Sequence, residues 1–416
     1  MQNPDAPRIA VIGGGAAGLI AAGGAAKRGA RVTVIEQNDR PGKKILISGK
    51  GRCNVTNDCS PSEFIANVTK NASFLYSAIN RFSPQDLKEL LRENGVELKT
   101  ERGRRVFPVS DKSADILSAL LRYASGCDFL REKATGITVE NGRATGVVTT
   151  AGTRPYDAVI LATGGASYPL TGSDGSGYKI ARSLGHTVTP LIPSLVPLVS
   201  PSPLCAEMQG LSLKNVALTL YDGDLKLYSD FGEMLFTHFG MSGPMILSAS
   251  AHLRSTDFQN VRVEIDLKPA LDQQTLERRV LSDFSRYINR DAQNALSDLL
   301  PAKMILPFLE LSQVDPQKKI NVLTRAERMR MLTVLKRFTL PVSGFRPLSE
   351  AIVTSGGVCV KEIDPKTMSS RLVPGLFFAG EMIDVDAYTG GFNLQIAFST
   401  GFLAGQSASE FVINNK

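Results

Sequence analysis

The chain has 416 residues but no Trp, only three histidines, five cysteines and no unbroken apolar run of membrane-spanning length. His186, His238 and His252 are not paired at metal-ligand spacing, so no zinc or iron site is expected. Cys53, Cys59, Cys127, Cys205 and Cys359 are odd in number and scattered, which argues against a disulfide framework and for a reducing, cytoplasmic setting. A membrane-spanning helix needs about 18 successive apolar residues, and the runs here break well before that, so no membrane insertion is expected. The opening Met1-Gln-Asn-Pro-Asp-Ala-Pro7 has neither the basic nor the apolar region of a signal peptide. What is present is an ordinary globular mix, 43% hydrophobic and 21% charged. The net charge is +7 and the pI is near 9.1. The surplus of cations is dispersed, densest at Arg40–Lys43–Lys44–Lys50–Arg52 and at Arg102–Arg104–Arg105. It reads as local phosphate contacts, with no nucleic-acid partner expected.

Such a length predicts two or three packed units. Arg8–Ile12 is a short β-branched run, as in a buried parallel strand. A Gly-rich turn, an Ala-rich helix to about Arg28 and a second strand, Arg31–Ile35, complete a βαβ unit. Residues 73–94 and 111–125 read as helices, 137–149 as two strands around Asn141-Gly142, and 157–162 as another buried strand. Prolines crowd at 190–203 and mark a boundary. Beyond it, 213–237 alternates apolar and polar with turns expected at Asp222-Gly223 and Phe231-Gly232, and 270–340 is helical. The chain closes with a strand at 375–379 and a long apolar helix from about Asn393 to Val412. The expected division is a nucleotide-binding domain in two parts, 1–190 and 357–416. Between them lie a β unit at 191–268, completed near 341–356, and a helical unit at 269–340.

Gly13-Gly-Gly15-Ala16-Ala17-Gly18 follows the first strand and opens the helix. In G-x-G-x-x-G the first Gly makes the tight turn, the second admits a pyrophosphate, and the third lets helix and sheet pack closely. The helix N-terminus offers its N–H groups to the phosphates. Glu36 ends the second strand, where a carboxylate accepts from ribose hydroxyls and repels a 2′-phosphate. Three further features go beyond what a simple NAD domain requires and suit FAD. The first is the basic, Gly-rich loop Pro41–Asn54, carrying Lys43, Lys44, Ser48, Gly49, Gly51, Arg52, Cys53 and Asn54. The second is Thr163-Gly164-Gly165 at a strand end. The third is Gly380-Glu381, an acid placed for a ribityl hydroxyl, with Gly390-Gly391-Phe392-Asn393-Leu394 at a helix start whose dipole suits a reduced flavin.

On Gly13–Gly18 with Glu36, Ser48–Asn54, Leu235–Pro244, Ser355-Gly356-Gly357-Val358, and Gly380-Glu381 with Gly390–Leu394, the chain resembles the BaiN/YhiN-type family of bacterial NAD(P)/FAD-dependent oxidoreductases. The resemblance covers essentially the whole length. It implies an α/β fold: a Rossmann-like, glutathione-reductase-like FAD-binding domain with an inserted antiparallel β (barrel-like) unit and a small helical unit. It also implies that Ala134 meets the adenine through its backbone. Gln37, beside Glu36, is counted in the same site, and Gly356-Gly357 is read as a backbone approach to the flavin. Lys50 departs from the family pattern, which has another Gly there, and puts a bulky cation in the loop.

The expected activity is reduction of an activated double bond in a small, partly apolar molecule, with FAD as cofactor and NAD(P)H as donor. The alternative is an oxidase of a small amine or alcohol using oxygen. A third reading, a flavin-containing RNA-interacting protein, is motivated by the pI and by Arg102–Arg105. No second G-x-G-x-x-G occurs. Gly172-Ser-Asp-Gly-Ser-Gly177 reads as a helix start or as an anion contact. His238 is the candidate acid–base residue, with His186 and His252 structural or exposed. Cys53 reads as packed or cofactor-adjacent rather than as half of a redox disulfide with Cys59, although Arg52 beside it could lower its pKa.

Overall fold

A computed structural model describes residues 6–253 and 257–414. The chain forms two compact units, Met1–Ser194 with Pro347–Lys416, and Leu195–Arg346.

The first unit is built on five parallel strands: β1 (Arg8–Ile12), β2 (Arg31–Glu36), β3 (Asp128–Arg131), β4 (Ala158–Leu161) and β5 (Leu376–Phe378). Their spatial order is β5-β4-β1-β2-β3, every neighbouring pair parallel. β1, β4 and β5 are apolar and almost entirely buried, as strands covered on both faces must be. The Ala-rich helix α1 (Ala16–Ala26) buries nine of its residues. The long C-terminal helix α2 (Phe392–Asn414) lies along it. Two glycines of α2 make that approach possible. A Cβ on Gly401 would stand 2.3 Å from Ala17 O, and one on Gly405 2.3 Å from Ala21 O.

The stretch 73–94, which reads as one helix, is broken into Tyr76–Arg81 and Pro84–Glu93. Ser83 caps the second piece in a reciprocal box with Asp86, and Pro84 takes its first position, where no N–H is needed. The expected hairpin forms from Ala134–Glu140 and Arg143–Thr149.

His186 is buried in this unit. Its Nε2 lies 2.9 Å from Ser370 Oγ and its Nδ1 3.2 Å from Glu362 Oε2. Ser370 Oγ already accepts from the N–H groups of Leu372 and Val373. Its own proton therefore goes to Nε2, and Nδ1–H donates to Glu362. The neutral ring is fully satisfied, and burial holds its pKa below the ordinary value. Above about pH 6.5 the ring is neutral in both folded and unfolded chains; below it, only the unfolded chain takes the proton. Stability should thus fall with acid below about pH 6.5, with a slope approaching 1.4 kcal/mol per pH unit until the depressed folded pKa is reached. Urea midpoints of wild type and His186→Gln between about pH 7.5 and 5 test this: the variant should lack that part of the slope.

The second unit carries a seven-stranded antiparallel sheet in the order 338–341, 261–266, 212–222, 225–237, 240–242, 198–199, 344–345. Its two end strands are continuous in sequence. Val342 N–H bonds Val261 O, and Ser343 N–H bonds Val199 O, so the ladder returns on itself as a barrel. Helices Gln273–Arg286, Ala302–Leu311 and Arg325–Lys336 share one buried apolar cluster with these strands.

Two sequence expectations need correction. Asp222-Gly223 is a turn, but Phe231-Gly232 lies inside the long strand Leu225–Thr237. Gly232 pairs there with Val216 beside a bulge, under the Met245 side chain. The return near 341–356 is divided as well. Strand 338–341 belongs to the barrel, whereas 347–356 lies in the first unit, Val353–Ser355 pairing with Ile192–Ser194. Among the described residues no helix is long and apolar enough to cross a membrane.

Candidate functional site

A long cleft opens along the C-terminal ends of β1, β2 and β4, enclosing about 1360 Å³ with its mouth included. Ligands of open parallel sheets bind at such strand ends. Its middle is the turn after β1. Gly13 has φ +103°, and a Cβ there would stand 2.5 Å from Ala162 O. A Cβ on Gly18 would stand 1.8 Å from Gly13 O, so helix and turn touch through backbone alone. Gly15 differs from both: a Cβ there would meet nothing within 4 Å. No side chain caps the N-terminus of α1 at Gly15. The turn thus presents helix N–H groups and open space, the two things an anion needs.

Glu36 frames one wall. Its Oε2 accepts from Gly14 N–H at 2.8 Å, and its Oε1 from the backbone and side chain of Asn38 at 2.8 and 2.7 Å. Asn38 also donates to Thr171 O, and Gln37 to Gly172 O, which ties the loop 168–172 to the end of β2. Glu132, Lys133 and Ala134 close this end, with Lys133 Nζ 3.0 Å from Asp174 Oδ2.

The other end holds a polar network. Lys44 Nζ donates to Glu381 Oε2 at 2.6 Å and to Ser167 Oγ at 2.7 Å. Glu381 Oε1 accepts from Thr354 N–H at 2.9 Å and from Ser167 Oγ at 3.1 Å. Gly380 N–H is fixed by Thr400 Oγ1 of α2. Ile352, Val353, Val385 and Leu394 supply apolar wall.

The cleft brings together Gly13, Gly15, Ala16, Ala17, Glu36, Gln37, Lys43, Lys44, Ser48, Ala134, Thr163, Gly164, Gly380, Glu381, Asn393 and Leu394. The Asn393 side-chain amide is spent on Ala387 and Tyr388. The other sequence candidates do not line it. Gly18 is the packing glycine just described. Gly165 faces Thr354 and Glu381, Gly356 faces Pro190 O, Gly357 faces Met382 O, and Gly391 faces Thr56 O; each would clash there with a Cβ. Phe392 is buried edge-on against Phe64.

The segment 48–54 turns away from the cleft after Ser48. Gly49, Lys50, Gly51 and Cys53 all have positive φ, so the chain curls tightly here. Lys50 holds this left-handed geometry at φ 58°, a backbone state suited to the Gly of the family pattern. Arg52 is engaged by Glu101 and Asp111 and lies 4.2 Å over the Phe107 ring. It does not acidify Cys53: that thiol is buried, and burial pushes its pKa up to about 12. Cys53 and Cys59 pack against separate apolar clusters, so the disulfide reading falls. Asn54 Oδ1 is buried with no partner among the described residues.

His238 belongs to the second unit. It is exposed between strands Leu225–Thr237 and Gly240–Ser242, its ring edge-on to Phe239. The sequence reading missed Asn38, Glu132 and Thr171, which also line the cleft, whereas Ser173 lies in the glycine-rich run already singled out. Gly172 and Ser176 of that run line the cleft as well. Ser176 also begins a helix, as the first reading of that run expects.

The family described as the HI0933-like protein Rossmann domain matches residues 7–407. The chain belongs to this HI0933-like family. It is 33% identical over 414 residues to the 3-dehydro-bile acid delta(4,6)-reductase of Clostridium scindens, covering 97% of this chain and 99% of that one. It is 31% identical over 412 residues to the ribosomal RNA dihydrouridine synthase of Escherichia coli, covering 95% and 96%. In fold it is similar to the 3-ketosteroid-delta4-(5alpha)-dehydrogenase of Rhodococcus jostii, with TM-score 0.53, 17% identity and 97% of each chain covered. The HI0933-like family is one of FAD-binding oxidoreductases. The cleft fits that cofactor: a capless helix N-terminus faces open space at Gly15, a carboxylate stands at each end, and one end is walled by apolar side chains.

Proposed function

We propose that this oxidoreductase reduces a carbon–carbon double bond conjugated to a carbonyl, with resident FAD and with NAD(P)H as donor. The overall balance is NAD(P)H plus a proton plus C=C giving NAD(P)+ plus CH–CH. One observation carries the reading: a relative matched over nearly its whole length is named for reducing delta(4,6) positions of a 3-dehydro bile acid. The name of the second relative, which denotes formation of a dihydro-nucleoside, describes the same kind of addition.

In this reading FAD supplies hydride transfer at its flavin ring. Gly15 and the first turn of α1 take the diphosphate. Glu36 has one lone pair left on Oε2, beyond Gly14 and Asn38, for a ribose hydroxyl, and Glu381 has one left on Oε2 for the ribityl chain. Lys44 holds Glu381 in place and adds positive charge to that end. Ile352, Val353, Val385 and Leu394 exclude water.

The test is anaerobic rapid mixing of the yellow protein with NADH or NADPH, followed at the flavin band, and then addition of a conjugated enone. Rapid bleaching, reversed by the enone, is the expected result. Protein that neither dinucleotide bleaches, yet that an amine or alcohol reduces with later release of peroxide, is the oxidase instead. A second substrate reading, a uracil base in RNA, is favoured by the exposed Arg102 and Arg104 on the turn before strand Arg105–Pro108 and by the exposed Arg105 at its start. It requires that RNA restore the yellow colour where the enone does not, and that RNA binding weaken steeply between about 50 and 200 mM salt.

A further inference from the structure

Beside the cofactor cleft, the first unit has a second hollow, about 940 Å³ with its open mouth, lined by Leu46, Ile47, Tyr168, Pro169, Leu170 and Thr171, with Arg40 and Lys43 also lining it. Its walls are apolar side chains left in water: Leu170 is 94% exposed and Ile47 47%. Apolar surface gathered into an exposed concavity marks a binding site more often than a monomer's ordinary surface. The loop that carries it is held rather than loose. Tyr168 sits in the left-handed region at φ 53°, a state a bulky aromatic adopts only when its surroundings impose it. Gly172 turns the loop back at φ +100°. Asn38 and Gln37 bind the Thr171 and Gly172 carbonyls, and Tyr168 N–H bonds Ser349 O.

The charge is one-sided. Arg40 is exposed and makes no ion pair among the described residues, and Lys43 is paired with Asp39 at 2.6 Å. The hollow adjoins the cofactor cleft: Lys43 and Thr171 line both. A reductase must also receive its electrons, and the chain has one G-x-G-x-x-G, which the cleft uses. A donor dinucleotide therefore needs a place without a nucleotide-binding fold of its own.

We infer that this hollow docks the reduced nicotinamide dinucleotide, its diphosphate against Arg40 and a planar ring against Tyr168, Leu170 and Ile47. Aromatic and aliphatic side chains give a flat ring its contact area, and a guanidinium matches phosphate geometry. This rests on the donor assignment made under Proposed function, and the redox balance is the one written there.

The experiment compares wild type with Arg40→Ala and Leu170→Ser, each as FAD-loaded protein, mixed anaerobically with NADH and with NADPH over a range of concentrations. Both residues are exposed and neither lines the cofactor cleft, so FAD content and melting temperature should match wild type. Half-saturation for bleaching should rise roughly tenfold in Arg40→Ala and about threefold in Leu170→Ser, with the limiting rate unchanged. Raising salt from about 50 to 200 mM should weaken donor binding in wild type and leave Arg40→Ala nearly insensitive. Calorimetric titration of the oxidised dinucleotide should give the same order without turnover. Wild-type protein that neither dinucleotide bleaches overturns the donor assignment and this site with it. Bleaching with equal half-saturation in all three proteins overturns the site alone.

Discussion

Gly15→Val should purify as a folded, colourless protein. Gly15 has φ −83° and ψ −165°, extended backbone open to any residue, and an added Cβ meets nothing within 4 Å. The fold therefore has room for the side chain. The direct penalty is a poorer helix cap, about 1 kcal/mol, or a few degrees in melting temperature. The new side chain fills the space assigned to the diphosphate and screens the N–H groups of α1. Two charge-assisted hydrogen bonds lost there correspond to a fall in FAD affinity of roughly 100-fold or more. Gly18→Ala makes the opposite case. Its Cβ would stand 1.8 Å from Gly13 O, so helix and turn must separate, and both fold and flavin should be lost. Flavin absorbance per protein and a thermal melt on each variant separate the two. A Gly15→Val protein that keeps stoichiometric FAD would refute the diphosphate assignment.

Gly401→Val should be the most destabilising exchange in the C-terminal helix. The Cβ would lie 2.3 Å from Ala17 O, a backbone atom of a helix itself buried under the sheet, so neither partner can give way cheaply. Overpacking of this kind costs about 3 kcal/mol or more, and the melting temperature should fall by roughly 6–12 °C. Gly405 meets the same helix one turn later, at Ala21 O. The two sites share one consequence, the separation of α1 from α2, so they are coupled. Gly401→Ala and Gly405→Ala together should therefore cost less than their sum. Strict additivity in urea unfolding would show that the helices are not held by this common approach.

These contacts also mark where sequence reading succeeds and where it stops. The βαβ start was legible because its signals are local: a β-branched run, three glycines at fixed offsets and an acid at the next strand end. The glycines of α2 carry no such signal, because their partner is the carbonyl of a helix almost the whole chain away. The same holds for Lys44, whose partner Glu381 is fixed only by folding. The conformation of the loop 48–54 was not legible for another reason: Gly, Ser and basic residues suit a phosphate cradle and a tight reversal equally, and the run of positive φ shows the reversal. Asn38 and Glu132 lie at strand ends with no motif around them, so nothing in composition set them apart.

The cofactor cleft draws its residues from both extremes of the chain, and that orders its biosynthesis. Ribosomes deliver Gly13–Gly18 and Glu36 early, then the whole second unit, and only afterwards β5, Glu381 and α2. Until then β4 has an unpaired apolar edge and α1 an uncovered face, surfaces that chaperones recognise in nascent chains. On the proposed cofactor assignment, a chain stopped before Leu376 would leave the ribosome without Glu381 and α2, and should bind no flavin.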